Sequence, residues 1–83
     1  MLICEDWAIG EKRIREFFHE QSDVSAVDSD FSYGSCRITL TALEDAKNGI
    51  FSFPRTRVRM EGPEEELRVI YRRFFLRFLS AGG

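Results

Sequence analysis

The side chains that could do chemistry are few and far apart. His19 is the one histidine, and Cys4 and Cys36 are the two cysteines, 32 positions apart. A structural zinc site takes about four Cys or His ligands at close spacing, so no metal is expected. Neither cysteine has a histidine beside it to lower its thiol pKa. His19, between Phe18 and Glu20, reads as a surface or helix-capping residue. The chain has no glycine-rich phosphate loop, no nucleophile elbow and no zinc-protease helix motif. The stretch DSDFSYG (28–34) has some letters of a calcium loop. Its glycine comes one place late, and the twelfth position is Thr39, where a bidentate glutamate belongs. The expectation is a protein that is not an enzyme and uses no cofactor.

The second pattern with chemical potential is FPRTRVRMEG (53–62), which has an arginine at every second position. On a strand, Arg55, Arg57 and Arg59 stand on one face about 6–7 Å apart, close to the phosphate spacing of a nucleic-acid strand. Phe53, with Phe51 before it, supplies a platform on which a base could stack. Anion or single-stranded nucleic-acid binding is therefore an alternative function. Charge argues against it. The net charge is −2, with −5 in residues 1–49 and +3 in residues 50–83. Nucleic-acid-binding domains are usually basic, and a row of arginines on a sheet is more often its wet side. The uneven charge is also what two halves would show if they pack acid to base.

These patterns sit on 83 residues, enough for one domain spanning 1–83. So short a chain buries a modest share of its surface. Eight phenylalanines, Trp7, Tyr33 and Tyr71 give it the means, at roughly 1.5–3 kcal/mol per buried Phe. No apolar run reaches the 18 residues a membrane helix needs. The start, MLICEDW, lacks the basic and apolar regions of a signal peptide. The expected location is cytoplasmic, with both cysteines as thiols.

In DWAIGEKRIREFFHEQ, Ile14, Phe17 and Phe18 make an apolar stripe at helical spacing. This predicts a helix over about residues 8–21 with Asp6 as its cap. MLIC before it allows a short extra strand. Val27, Phe31 and Tyr33 share a parity and allow a weak edge strand, ended by Gly34-Ser35. CRITLTAL (36–43) alternates cleanly: Cys36, Ile38, Leu40 and Ala42 point one way, Arg37, Thr39 and Thr41 the other. Residues 41–48 reverse the chain, as a turn or a short helix, with Asn48-Gly49 as the turn pair. IFSFPRTRVRME (50–61) returns as a strand. Phe51 and Phe53 fall on the arginine parity, and a bulge at Pro54 would move them to the core face. The last helix, over 63–80, starts with Gly62 as cap and Pro63 first. Glu64, Glu65 and Glu66 stand against its positive end, and Gly82 and Gly83 stop it. The expected fold class is α+β, with two helices packed on one face of a small three-stranded antiparallel sheet in the order α-β-β-β-α.

Placed at 100° per residue, Leu67, Ile70, Tyr71, Phe74 and Phe78 of the last helix form one core stripe. Val69, Leu76 and Leu79 fall on the other side, among Arg68, Arg72, Arg73 and Arg77. A helix apolar on two flanks needs two partners, and arginine around apolar anchors is a frequent interface composition. The expected function is a small interaction module that self-associates through Val69, Arg72, Arg73, Leu76 and Leu79. Its expected partner is a second copy or another protein, with no membrane contact.

The order α-β-β-β-α is similar to that of double-stranded-RNA-binding domains. Those place lysines at the start of the last helix, where this chain reads Pro63-Glu64-Glu65-Glu66. Three carboxylates would repel a phosphate, so the function does not follow. The ending SAGG resembles the Gly-Gly tails of β-grasp sulfur carriers and ubiquitin. Those tails leave the fold from a final strand, and here the glycines follow a predicted helix.

Overall fold

A computed structural model of the chain describes residues 1–28 and 30–79. Five strands and two helices follow one another as β1 (Leu2–Trp7), α1 (Glu11–Glu20), β2 (Ser25–Val27), β3 (Asp30–Tyr33), β4 (Cys36–Asn48), β5 (Phe51–Glu61) and α2 (Glu64–Phe78). The strands form one sheet in the order β1-β5-β4-β3-β2, and each neighbouring pair is antiparallel. The class is α+β with two helices, as the sequence pattern implies. The sheet has five strands where three, or four with a short N-terminal strand, were expected; β1 is that N-terminal strand.

Strand alternation builds the core. Cys36, Ile38 and Leu40 of β4 and Thr56, Val58 and Met60 of β5 are buried, while Arg37, Thr41, Arg57 and Arg59 between them are exposed. Ile14, Phe17 and Phe18 of α1 and Leu67, Ile70, Phe74 and Phe78 of α2 close over that face. Thr56 is the buried polar residue of the core; its hydroxyl donates to the Ile9 carbonyl at 2.7 Å. That bond satisfies a group whose burial unpaired would cost on the order of 1–3 kcal/mol. The opposite face of the sheet is open.

Several local expectations need correction. Asp6 does not cap α1. It lies in β1, and Gly10 takes the cap position. Trp7 fits the helical spacing, but its strand partner Thr56 extends β1 past MLIC. Residues 41–48 neither turn nor form a helix; β4 continues to Asn48, and the reversal is confined to Gly49-Ile50. Asn48 pairs with Phe51, and Gly49 adopts φ 65°, which glycine tolerates in a tight turn. Phe51 and Phe53 do not enter the core. The bulge lies on β4, between Leu43 and Ala46 opposite Pro54, so β5 keeps its parity and both rings stay exposed beside the arginines. α2 begins at Glu64 after Pro63, one residue later than expected. The expected stop at Gly82 and Gly83 lies outside the described residues.

Gly62 joins β5 to α2 where nothing larger fits. Its φ is 151°, and a Cβ there would stand 2.7 Å from the Cys36 Cα and Sγ. Glu66, in the first turn of α2, accepts the Ser35 backbone N–H at 2.8 Å, which holds the β3–β4 turn against the helix.

Phe74 joins the layers. Its ring lies 4.9 Å from Trp7, 5.9 Å from Phe18 and 5.3 Å from Phe78. Phe74→Ala should cost about 3–5 kcal/mol, read as a lower urea midpoint with an unchanged slope. Phe51→Ala, at an exposed ring, should stay within about 0.5 kcal/mol of the parent.

Candidate functional site

The described residues enclose no pocket. They also hold no group of three or more His, Cys, Asp and Glu able to share a metal ion. Cys36 is buried, and burial, followed by the nearby Glu66 carboxylate, pushes its thiol pKa up. A thiol so placed stays protonated and inert near neutral pH. Cys4 is exposed, on the open sheet face opposite Arg59. Tyr71 donates its hydroxyl to Glu5 at 2.8 Å, and burial together with that bond pushes its pKa up to about 12. None of these groups faces an enclosed space. The candidate sites are surfaces, and there are three.

The first is the arginine row. Arg55, Arg57 and Arg59 share one face of β5, as the alternation requires, and Phe51 and Phe53 continue the row towards the hairpin tip. The two phenylalanine rings stack with centroids 6.5 Å apart. The cations are largely committed. Arg57 donates from Nε and Nη2 to both oxygens of Asp6, at 2.8 and 3.2 Å. Arg59 donates to both oxygens of Glu61, at 3.1 and 3.3 Å. On β4, Arg37 lies 3.8 Å from Asp30. The face thus alternates in sign. Arg55 is half-buried, with a buried Nε that has no hydrogen-bond partner among the described residues.

The second surface is the outer side of α2. Val69, Leu76 and Leu79 are 43%, 59% and 51% exposed, so the helix has the two apolar flanks its spacing implies. Arg72 is exposed between them and forms no ion pair among the described residues. Arg73 turns sideways. Its Nη1 donates to Asp23 at 2.9 Å, and its guanidinium lies over the Tyr33 ring. The structure therefore places Val69, Leu76, Leu79 and Arg72 together and ties Arg73 to the neighbouring loop.

The third surface lies where residues 41–48 continue β4 instead of reversing the chain. β3 pairs with β4 only as far as Thr39, and β1 pairs with β5 only as far as Thr56. Beyond Leu43 and Arg55 the β4–β5 hairpin continues as a two-stranded arm, which lengthens the molecule to 42 Å against 24 and 21 Å in the other directions. The arm exposes Ile50, Phe51 and Phe53. Its signal in the sequence is the parity of Phe51 and Phe53 with the arginines, which puts them on the open face.

The Asp6–Arg57 pair ties β1 to β5. The guanidinium holds the Asp6 carboxyl below the usual aspartate range, mainly through the hydrogen bond. A depressed carboxylate pKa adds stability above the unfolded-state value and loses it as pH falls through the folded value. NMR titration should find Asp6 below an ordinary aspartate, and Arg57→Gln should return it to the ordinary range. In that variant stability should fall less steeply below about pH 4.

No curated protein matches the chain. Residues 5–83 match the model of a family described as archaeal MoaD-like proteins, a span that begins within β1 and takes in all the later elements. The chain belongs to the archaeal MoaD-like protein family.

Proposed function

We propose that the protein is a non-catalytic interaction module that works by contact, with the outer strip of α2 as its contact surface. The observation that carries this reading is the exposure of Val69, Leu76 and Leu79 on one side of a helix whose other side is fully buried. Apolar anchors beside an arginine with no ion-pair partner among the described residues suit an interface core and its rim. Single exposed aliphatics are ordinary; three on one helical strip call for a cover. Self-association is the first form to test. Purified protein should self-associate at high micromolar concentration, and Leu76→Asp should weaken that association with the fold intact. A monomeric parent would overturn self-association and leave another protein as the partner.

The arginine row gives less support to nucleic-acid or anion binding through Arg55, Arg57, Arg59 and Phe53. A phosphate would have to displace Asp6 and Glu61 from two of the three guanidiniums, and exposed pairs of this kind are balanced against solvent.

The family favours a second reading. The matched span includes Gly82 and Gly83, and the family has a sulfur-carrier-like fold. β-grasp sulfur carriers end in Gly-Gly. On this reading Gly82-Gly83 would serve as the carrier tail: a tail carboxylate activated by a partner as a mixed anhydride with phosphate would lose one oxygen with that phosphate as sulfide from a donor takes its place. Against it stands α2, since the element before the tail is a helix and not a strand. The intact mass of the protein recovered from its own cells tests this. A sulfur-for-oxygen gain, absent from a variant lacking Gly83, is the expected sign of a carrier; an unchanged mass removes the reading.

A further inference from the structure

The arm has two outer edges, and they are not equivalent. On β5, Pro54 lacks the N–H a new strand would need. Arg55 beside it turns a cation to the open face. On β4, residues 43–48 continue past the last residue paired with β3. Every non-proline residue there carries a backbone donor and acceptor. An uncovered strand of this kind is a template for another strand. Pro54 thus guards one edge of the arm, and the other is free among the described residues.

The side chains along the free edge read Leu43-Glu44-Asp45-Ala46-Lys47-Asn48. Two copies pairing antiparallel about a two-fold axis perpendicular to the sheet must set one residue opposite itself. Centring on Glu44, Asp45 or Lys47 sets like charges face to face, which is destabilising. Centring on Ala46 sets Asp45 opposite Lys47 of the second copy, and Lys47 opposite Asp45. Both charged pairs are then favourable. The same register extends an apolar row. Ala46 already pairs with Phe53 inside the arm, so Phe53, Ala46, Ala46 and Phe53 would cross the joined arms side by side. Of the registers centred on residues 44–47, this is the one in which the edge is self-complementary in charge and in apolar surface.

We propose that a second copy of this chain adds to the β4 edge of the arm. The two edges pair antiparallel about Ala46, and Asp45 of each copy faces Lys47 of the other. The contact lies away from the α2 strip and does not depend on it. It covers a short stretch, so it belongs with weak, transient contacts below about 1,200 Å².

Charge exchange tests it. Sedimentation equilibrium at low salt and high protein concentration should show association of the parent chain. Asp45→Lys alone and Lys47→Asp alone each place like charges opposite one another at both symmetric positions. Each should weaken association by about tenfold or more. An equimolar mixture of the two variants, and separately the double exchange, should restore it. Circular dichroism checks that the exposed substitutions leave the fold unchanged. A parent that stays monomeric at all concentrations overturns the proposal. So do single variants that associate like the parent, and a mixture that does not recover. Leu76→Asp separates this contact from the α2 strip. If it retains association that the Asp45 and Lys47 variants lose, the arm carries the contact. If it removes all association, the arm proposal falls and the helix reading stands.

Discussion

Phe74 sits where rings from three elements meet. Trp7 comes from β1, Phe17 and Phe18 from α1, and Tyr71 and Phe78 from α2 itself. None of these elements could bury its aromatics alone, and a chain this short has a single core in which to do so. The phenylalanine-rich composition is what lets two helices of ten and fifteen residues hold a sheet. Each ring pair adds on the order of 0.5–1.5 kcal/mol to the area it buries. The consequence reaches the surface. Once α2 is fixed by Leu67, Ile70, Phe74 and Phe78, its opposite strip can only face outward, and Val69, Leu76 and Leu79 go with it.

The same geometry explains why the arm is bare. The helices cover the sheet where Val58, Met60, Ile38 and Leu40 are buried. Past Arg55 the β4–β5 ladder continues without that roof. A two-stranded hairpin alone is marginal in water, and this one is anchored by the five-stranded body at its base. The Ser52 hydroxyl donates to Asp45 across the arm at 3.2 Å. The stacked Phe51 and Phe53 rings shield each other only in part.

How far the sequence can be read follows from which residues have a buried face to obey. Cys36, Ile38 and Leu40 alternate with polar residues because one face is core, and that strand is legible. So is α2, whose two flanks follow from the angular positions of Leu67 and Leu76. Glu44, Asp45, Ala46 and Lys47 also lie in a strand, but nothing buries either face there, so no alternation is imposed and the stretch looks like a turn. Trp7 misleads in the opposite way: it fits the spacing of Ile14 and Phe17 while belonging to β1. Phe51 and Phe53 had the right parity from the start. Their apolar character points inward while their parity points outward, and the parity prevails. The five-strand order rests on pairings such as Leu2 with Glu61, which connect distant positions and leave no local mark.

The uneven charge of the two halves has a structural account. Asp6 pairs with Arg57, Glu20 with Arg77 and Asp23 with Arg73, each an acid of the first half against an arginine of the second. Exposed pairs contribute roughly 0–1 kcal/mol each, so they do not hold the fold that the aromatic cluster already holds. What they do is consume charge. Arg77 and Arg73 tie the last turns of α2 to the end of α1 and the loop after it, and Arg57 ties β5 to β1. Five of the seven arginines after Lys47 are therefore already paired, three of them, Arg57, Arg73 and Arg77, as struts between elements. On α2, Arg68 is also paired, with Glu64, which leaves Arg72 as the helix's arginine without an ion-pair partner among the described residues. It stands among the exposed aliphatics Val69, Leu76 and Leu79, on the strip proposed as the contact surface.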